Sequence, residues 1–170
     1  DSAIYGFSHT HLQGTGVSDY GDILFMPCTQ FNEKGTSWPE RYKSRYSHDL
    51  ETAYPGHYRV DLLDHGIQVD LTTTPRVGIH RYRLNQPDTL TLIVDMNHRD
   101  ELVHYSIYPM NDSTLVGHRV SHNWATEQHV YFAARFDRAF QWQAQLYEMT
   151  DLGHSTDWVL PQDMELVTVC

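Results

Sequence analysis

The chain has 170 residues, with 12 basic and 22 acidic side chains and a formal charge of −10. This length allows one domain with a sizeable core, and we predict a single domain over residues 1–170. The acidic balance argues against a nucleic-acid backbone or an anionic membrane surface as partner. No apolar run reaches the length of about 18 residues that a transmembrane helix requires, so no membrane-spanning segment is predicted.

The two ends of the chain and its two cysteines bear on processing and compartment. The chain begins with Asp1 rather than Met, and its first residues lack the basic and apolar regions of a signal peptide. Because residues 165–170 look like the interior of a strand, we expect a processed, excised or truncated chain. Cys28 and Cys170 permit one bridge but provide no disulfide framework, so they leave the compartment open.

The stretch over residues 5–22 is the most distinctive in the chain. It carries histidines, carboxylates, hydroxyls and four glycines without a helical or strand period, which predicts an ordered functional loop. Gly14, Thr15 and Gly16 can turn sharply and offer bare amides to a ligand. Because residues 1–33 contain no Lys or Arg, this loop favours a neutral polyol over a phosphate. The side chains suited to donate to and accept from sugar hydroxyls are His9, His11, Asp19 and Asp22.

Two other interpretations of this loop stay open. A segment rich in Gly, Ser and Asp can be a plain turn, and His9 and His11 can share one side of a half-buried strand with nothing bound. A metal protein using these and other histidines is a third hypothesis for the whole chain. One His-x-His pair without a third ligand of defined spacing is a weak metal signal, so no metal ligand is assigned.

The rest of the chain alternates between strand patterns and turns. A buried strand is predicted over residues 22–26, followed by a surface excursion without regular structure over 29–47. From residue 58 onwards, apolar residues recur with a period of two and predict a series of strands. These predicted strands cover residues 58–62, 67–72, 77–84, 90–94, 102–108, 114–122, 130–136 and 140–147. Many short strands and no helical stripe predict an all-β, antiparallel β-sandwich.

Ser47, His48 and Asp49 form a second polar group, with Glu51 close by. Adjacent residues point in different directions, so these residues cannot form a nucleophilic triad among themselves. Asp49 or Glu51 can instead hydrogen-bond a histidine of the first loop and hold its tautomer, or simply cap a turn. Both interpretations stay open.

Trp124 lies in a third polar group, at residues 121–125 between two predicted strands. An indole in such a loop can stack on the apolar face of a pyranose. Alternatively, it closes the end of a sandwich core.

Five stretches, taken together and in their order along the chain, resemble the N-terminal β-sandwich domain of glycoside hydrolase family 92. They are residues 6–22, 47–49, 54–58, 76–82 and 124–140. The resemblance implies a parent enzyme that is a calcium-dependent, inverting, exo-acting α-mannosidase, with an α-1,2 preference as the expected linkage. It implies that the catalytic acid, the catalytic base and the calcium ligands come from a C-terminal helical barrel domain outside this chain.

From the resemblance we expect two partners, mannose-containing glycans and the C-terminal helical barrel domain, and a secreted, periplasmic or cell-surface location. Val17 and Gln13 stand where many relatives have a cysteine and a serine, a departure that bears on linkage preference. No catalytic residue is assigned to this chain. The residues predicted to line the substrate cleft are His9, His11, Gly14, Thr15, Gly16, Asp19, Asp22, His48, Asp49 and Trp124.

Glycoside hydrolysis needs a protonated and an ionised carboxyl group on opposite sides of the anomeric carbon. Four carboxylates lie in suitable loops, but none has a sequence context that marks it as such an acid: Asp19, Asp22, Asp49 and Glu51. Because the resemblance places the catalytic groups in the barrel domain, we expect the isolated chain to be inactive. The second hypothesis is a free-standing carbohydrate-binding β-sandwich module that uses the same loops without catalysis.

Overall fold

The structure is a computed structural model that describes residues 3–11, 20–30, 32, 37–147 and 162–169. The chain divides into two compact units. The first unit comprises Asp1–Phe7 and Met26–Thr91, and the second comprises Ser8–Phe25 and Leu92–Cys170. The prediction of one domain over residues 1–170 stays a prediction.

Strands form most of the described structure, and the period-two pattern located the longer ones to within a few residues. Three strands of two or three residues, β1, β3 and β4, have no such pattern and were not predicted. The strands are β1 (Ala3–Ile4), β2 (Leu24–Cys28), β3 (Ser44–Arg45), β4 (Thr52–Tyr54), β5 (His57–Leu62), β6 (Ile67–Thr73), β7 (Gly78–Leu84), β8 (Leu90–Asp95), β9 (Glu101–Asn111), β10 (Thr114–His122), β11 (Gln128–Arg135), β12 (Phe140–Tyr147) and β13 (Gln162–Val169).

The first unit is built on an antiparallel sheet with the strand order β4-β5-β6-β7. Alternate residues of its strands point to opposite faces, so one face is apolar and the other polar. Val60, Leu62, Ile67 and Val69 are fully buried on the apolar face. Burial of each such side chain contributes about 1.5–3 kcal/mol, which holds the register of β5 against β6.

The segment over residues 29–47 is partly regular, which corrects the prediction of an excursion without structure. It contains a short helix, α1 (Trp38–Tyr42), and the strand β3. Pro39 stands in the first turn of α1, where its fixed φ angle favours a helix and its missing N–H costs nothing. Tyr42 is fully buried, and its carbonyl accepts a hydrogen bond from Nε2 of His65 at 2.8 Å. The helix therefore anchors this segment to the first unit.

The second unit contains a three-stranded antiparallel sheet with the order β9-β10-β11. Ile107 and Leu115 are among its buried residues. A further sheet has the order β12-β13-β8-β2, and the division between the units falls inside β2 and β8. All of β2 is buried, and in β8 the apolar residues Leu92, Ile93 and Val94 are buried in one run.

The predicted all-β, antiparallel class is confirmed by these sheets. The described residues include one short α-helix and one 3₁₀ turn, His48–Leu50, besides the strands. Across the described residues, no helix combines the length and the apolar character needed to cross a membrane.

Candidate functional site

The base of the first loop is held by backbone pairing. The amide of His9 donates to the carbonyl of Asp22 at 3.1 Å, and the amide of Gly21 donates to the carbonyl of Thr10 at 3.4 Å. These bonds bring the two ends of the loop together in the second unit. Four of the predicted cleft residues fall in the middle of the loop, outside the described residues, and stay predictions: Gly14, Thr15, Gly16 and Asp19.

The two histidines of this loop have different surroundings. His9 is half-buried and packs edge-on against Phe25, with ring centroids 5.6 Å apart. Burial, and then the nearby His11, lower the pKa of His9. His11 is exposed, with its Nε2 2.8 Å from the Ser8 hydroxyl and 3.1 Å from the Ser8 carbonyl. Of the two, His11 is better placed to meet a ligand.

Asp22 lies inside the second unit. Its side chain is fully buried and forms an ion pair with the buried Arg119. Its Oδ2 accepts hydrogen bonds from the Thr10 hydroxyl at 2.9 Å and from the Gln128 side-chain amide at 2.8 Å. Both carboxylate oxygens are therefore used to hold the base of the loop. Direct contact between Asp22 and a sugar stays a prediction that this burial does not support.

Arg119 connects Asp22 to a strained turn. Its Nε donates to the Met96 carbonyl at 2.7 Å, and its Nη2 donates to the carbonyls of His98 and Arg99. Arg99 and Asp100 have φ angles of 56° and 51°. Such left-handed angles cost about 1–3 kcal/mol each and persist only where surrounding contacts impose them. Burial, followed by the charges of Arg99 and Arg119, lowers the pKa of His98 to about 4, so its imidazole is neutral at pH 7.

The strained turn lines an open cleft of about 540 Å³. The cleft is lined by Arg99, Asp100, Glu101, His122 and Asn123. Nδ2 of Asn123 donates to Oδ1 of Asp100 at 2.8 Å, which joins the two walls. A guanidinium, two carboxyl groups, an imidazole and an amide together donate to and accept from hydroxyl groups. The cleft therefore presents both hydrogen-bond donors and hydrogen-bond acceptors.

Two predicted cleft residues lie near this wall. A Cβ atom added at Gly21 would lie 3.2 Å from Cδ of Arg99 and 3.6 Å from Cε1 of His11, so the loop base packs against the cleft wall. Trp124 directly follows Asn123 and is 68% exposed. An indole so exposed does not close the end of a core, so that interpretation of Trp124 is wrong. Stacking of Trp124 on a sugar stays a prediction.

His48 and Asp49 belong to the first unit. Nδ1 of His48 lies 2.5 Å from Oε2 of Glu51, and the Tyr58 hydroxyl donates to Oε1 of Glu51 at 2.7 Å. Glu51 thus orients His48. The alternative in which Asp49 or Glu51 holds a histidine of the first loop stays a prediction. Asp49 is exposed, and its amide donates to the Ser47 hydroxyl at 3.2 Å. It is therefore Ser47, not a carboxylate, that caps the 3₁₀ turn.

The pKa of Glu51 should respond to Tyr58. The hydrogen bond from Tyr58, and then that from His48, lower the pKa of Glu51. With a folded-state pKa below the unfolded value, the contribution of Glu51 to stability is complete above the unfolded pKa and is lost as the pH falls through the folded one. We expect Tyr58→Phe to raise the pKa of Glu51 towards the ordinary glutamate value, measured by carboxyl-carbon NMR. Tyr54→Phe is the matched control, and an unchanged Glu51 titration in Tyr58→Phe would contradict the assignment.

Sequence reasoning missed five residues around the candidate site. Arg119 and Gln128 lie inside predicted or observed strands, Arg99 and Asp100 fall in a turn, and Glu101 begins β9. A charged residue in the middle of an otherwise core-facing strand was the one signal for Arg119, because a buried charge requires a partner. Nothing in the local pattern marks residues 99–101.

Comparisons with known proteins address the family directly. The family described as "Glycosyl hydrolase family 92 N-terminal domain" matches residues 1–157. A comparison with curated proteins finds no match.

Solved structures similar to this chain include the family GH92 α-mannosidase BT3965 from Bacteroides thetaiotaomicron, at 30% identity and a TM-score of 0.79. The same enzyme in complex with mannoimidazole gives 32% identity and a TM-score of 0.78. The GH92 family glycosyl hydrolase ccman5 gives 26% identity and a TM-score of 0.72. Each similarity covers 98% of this chain and 24%, 23% and 24%, respectively, of the other.

The similarity covers almost the whole of this chain, and the chain spans about a quarter of the length of these relatives. This coverage agrees with the family match. The similarity to these structures also confirms the predicted β-sandwich class. The chain therefore belongs to glycosyl hydrolase family 92 and corresponds to the N-terminal domain of that family.

Proposed function

We propose that this chain is the N-terminal domain of an α-mannosidase that hydrolyses terminal α-linked mannose from glycans with inversion of configuration. The observation that carries the proposal is the similarity, over 98% of the chain, to an α-mannosidase of the same family. In this proposal the domain supports a helical catalytic domain and lines part of the substrate cleft. An α-1,2 linkage and a secreted, periplasmic or cell-surface location belong to the same proposal.

The cleft of the second unit supports a contribution to sugar binding. The charged side chains of Arg99, Asp100 and Glu101 line the cleft, and the buried Arg119 fixes their backbone by donating to the Arg99 carbonyl. Hydrogen bonds to charged groups contribute about 1.5–3 kcal/mol each, so a few such bonds orient a sugar ring. Trp124 directly follows Asn123, which also lines the cleft, and its exposed indole offers an apolar face.

The catalytic groups and calcium are proposed to come from outside this chain. A catalytic acid needs a raised pKa. The pKa of Glu51 is instead lowered by Tyr58 and His48, and Asp22 is ion-paired with Arg119. Among the described residues, no three His, Cys, Asp or Glu side chains are grouped so that they could hold a metal ion. No step of hydrolysis is assigned to these residues, and a calcium site in the helical catalytic domain stays a proposal.

The test uses the parent enzyme and the isolated chain side by side. We expect the parent to release mannose from an α-1,2-linked mannobiose, to lose this activity in a calcium chelator, and the isolated chain to release none. Trp124→Ala in the parent should raise KM about three- to tenfold, because a ring contact is worth about 0.5–1.5 kcal/mol. Tyr131→Ala is the control, because Tyr131 is 71% exposed and lies on β11. Mannose release by the isolated chain, or an unchanged KM in Trp124→Ala, would contradict the proposal.

A second candidate is a free-standing carbohydrate-binding module. The exposed indole of Trp124 beside the cleft favours it, because such a surface can bind a glycan without catalysis. Calorimetry with the isolated chain and mannobiose separates the two candidates. A module binds the disaccharide with measurable affinity that Trp124→Ala removes, whereas part of a larger cleft binds too weakly to detect.

A further inference from the structure

The polar face of the sheet β4-β5-β6-β7 carries three arginines around one buried carboxylate. Arg59, Asp70 and Arg81 are cross-strand partners in one row, and Arg83 lies two residues along β7 on the same face. Asp70 accepts from Nε of Arg59 at 2.8 Å and from Nη2 of Arg81 at 3.2 Å. Nη1 of Arg83 donates to Oε1 of Gln68 at 2.9 Å and lies 3.4 Å from Oδ2 of Asp70. We call Arg59, Arg81 and Arg83 the arginine cluster.

The arginine cluster carries more positive charge than Asp70 neutralises. Burial alone would raise the pKa of Asp70, but hydrogen bonds from Arg59, His57 and Arg81 outweigh it and lower the pKa to about 2. Asp70 is therefore ionised at neutral pH, and three guanidiniums around one carboxylate leave an excess of two positive charges. Asp61, on the same face and bound by the Gln68 amide at 3.1 Å, still leaves an excess of one. This local excess of positive charge is opposite in sign to the formal charge of the whole chain, which is −10.

Stability of the sheet does not account for this excess. One guanidinium balances one carboxylate, and further like charges on neighbouring strands repel each other. Exposed ion pairs contribute about 0–1 kcal/mol, and the side chains of Arg59, Arg81 and Arg83 remain 40%, 57% and 47% exposed. Three guanidinium groups therefore lie around Asp70 on side chains that remain partly exposed to solvent.

We propose that the arginine cluster binds a phosphoryl group, supplied by inorganic phosphate or a phosphate monoester. A phosphoryl group has a charge of about −1.5 to −2 at pH 7 and three oxygens for three separate donors. A carboxylate has two oxygens and one charge, so it can accept paired N–H hydrogen bonds from two guanidinium groups at most. Tyr54 is 58% exposed and stacks on His57, with ring centroids 4.9 Å apart, next to Asp70. Its ring offers a contact for the organic part of an ester.

The test is an NMR titration of the 170-residue chain with inorganic phosphate at constant ionic strength. We expect saturable shifts of the Nε–H signals of Arg59, Arg81 and Arg83. Arg81→Gln/Arg83→Gln should weaken binding at least tenfold, and the single variant Arg83→Gln should weaken it by less. Arg138→Gln is the matched control, because Arg138 is exposed and lies 3.5 Å from its own carboxylate partner, Asp137. Circular dichroism checks that each variant is folded.

Three results would overturn the proposal: shifts that potassium chloride reproduces at equal ionic strength, equal binding by the double variant, or binding of acetate as tight as that of phosphate. A comparison of phenyl phosphate with inorganic phosphate identifies the source. Tighter binding of phenyl phosphate that Tyr54→Ala removes indicates an ester, and equal binding indicates free phosphate. The titration measures no hydrolysis, so this inference and the proposed mannosidase function can fail separately.

Discussion

Replacing Arg119 with methionine is expected to lower the free energy of unfolding by about 3–5 kcal/mol, because it leaves the Asp22 carboxylate buried without its ionic partner. The side chains of Arg119 and Asp22 are 1% and 0% exposed, so water cannot take the place of the guanidinium. The substitution also removes the donor for the carbonyls of Met96, His98 and Arg99. Urea denaturation followed by tryptophan fluorescence measures the loss.

Arg135→Met is the matched control for this prediction, because Arg135 is exposed on β11, the neighbour of β10. It should change the free energy of unfolding by less than about 0.5 kcal/mol. Arg119→Lys keeps the charge but loses the fork, so it should give an intermediate loss and remains measurable if the methionine variant does not fold. A loss in Arg119→Met no larger than that in Arg135→Met would show that the buried pair does not hold this unit together.

The second large effect is expected at Gly117, in the middle of β10. A Cβ atom at this position would overlap Cε1 of Phe132, its cross-strand partner, and would lie 2.8 Å from Cζ of that ring and 3.1 Å from the Ser106 carbonyl. The Phe132 ring also packs edge-on against Phe25, with centroids 6.3 Å apart, which limits its movement. Gly117→Ala should therefore lower the free energy of unfolding by about 1–3 kcal/mol, measured by the same denaturation.

Phe132→Leu provides the test of this cause. Without the ring over Gly117, the added methyl group has space, so the double variant should be more stable than the two single losses predict by at least about 0.5 kcal/mol. Strictly additive losses would show that strain elsewhere in β10, and not the contact with Phe132, opposes a side chain at position 117.

The sequence determined the class of the fold because strand patterning is a local property. In β5 and β6, a period of two places Val60, Leu62, Ile67 and Val69 on one face, and the turn before Ile67 sets their register. The short helix Trp38–Tyr42 escaped prediction, since five residues are too few to show a helical period and the burial of Tyr42 depends on contacts distant in sequence.

The candidate site likewise has some features that the sequence shows and others that only the structure shows. The sequence alone marked His11 and Trp124 as candidate cleft residues in loops but left their burial open, and the structure places both of them at the surface. It also placed Asp22 among the residues that line the substrate cleft, whereas the structure buries that carboxylate against Arg119, which is 97 residues away along the chain. Local composition identifies a carboxylate in a loop, but it does not tell which way the side chain points.

The sequence by itself therefore determined the antiparallel strands, the family and the loops that carry polar residues. Only the tertiary structure decided which of these residues hold the base of the loop in place and which face solvent. Two features illustrate this division: the turn at Arg99 and Asp100 is held in left-handed angles by Arg119, and the arginine cluster forms around Asp70. Both depend on partners from different strands, because the energy of a charge is set by its burial and by neighbours that folding brings together.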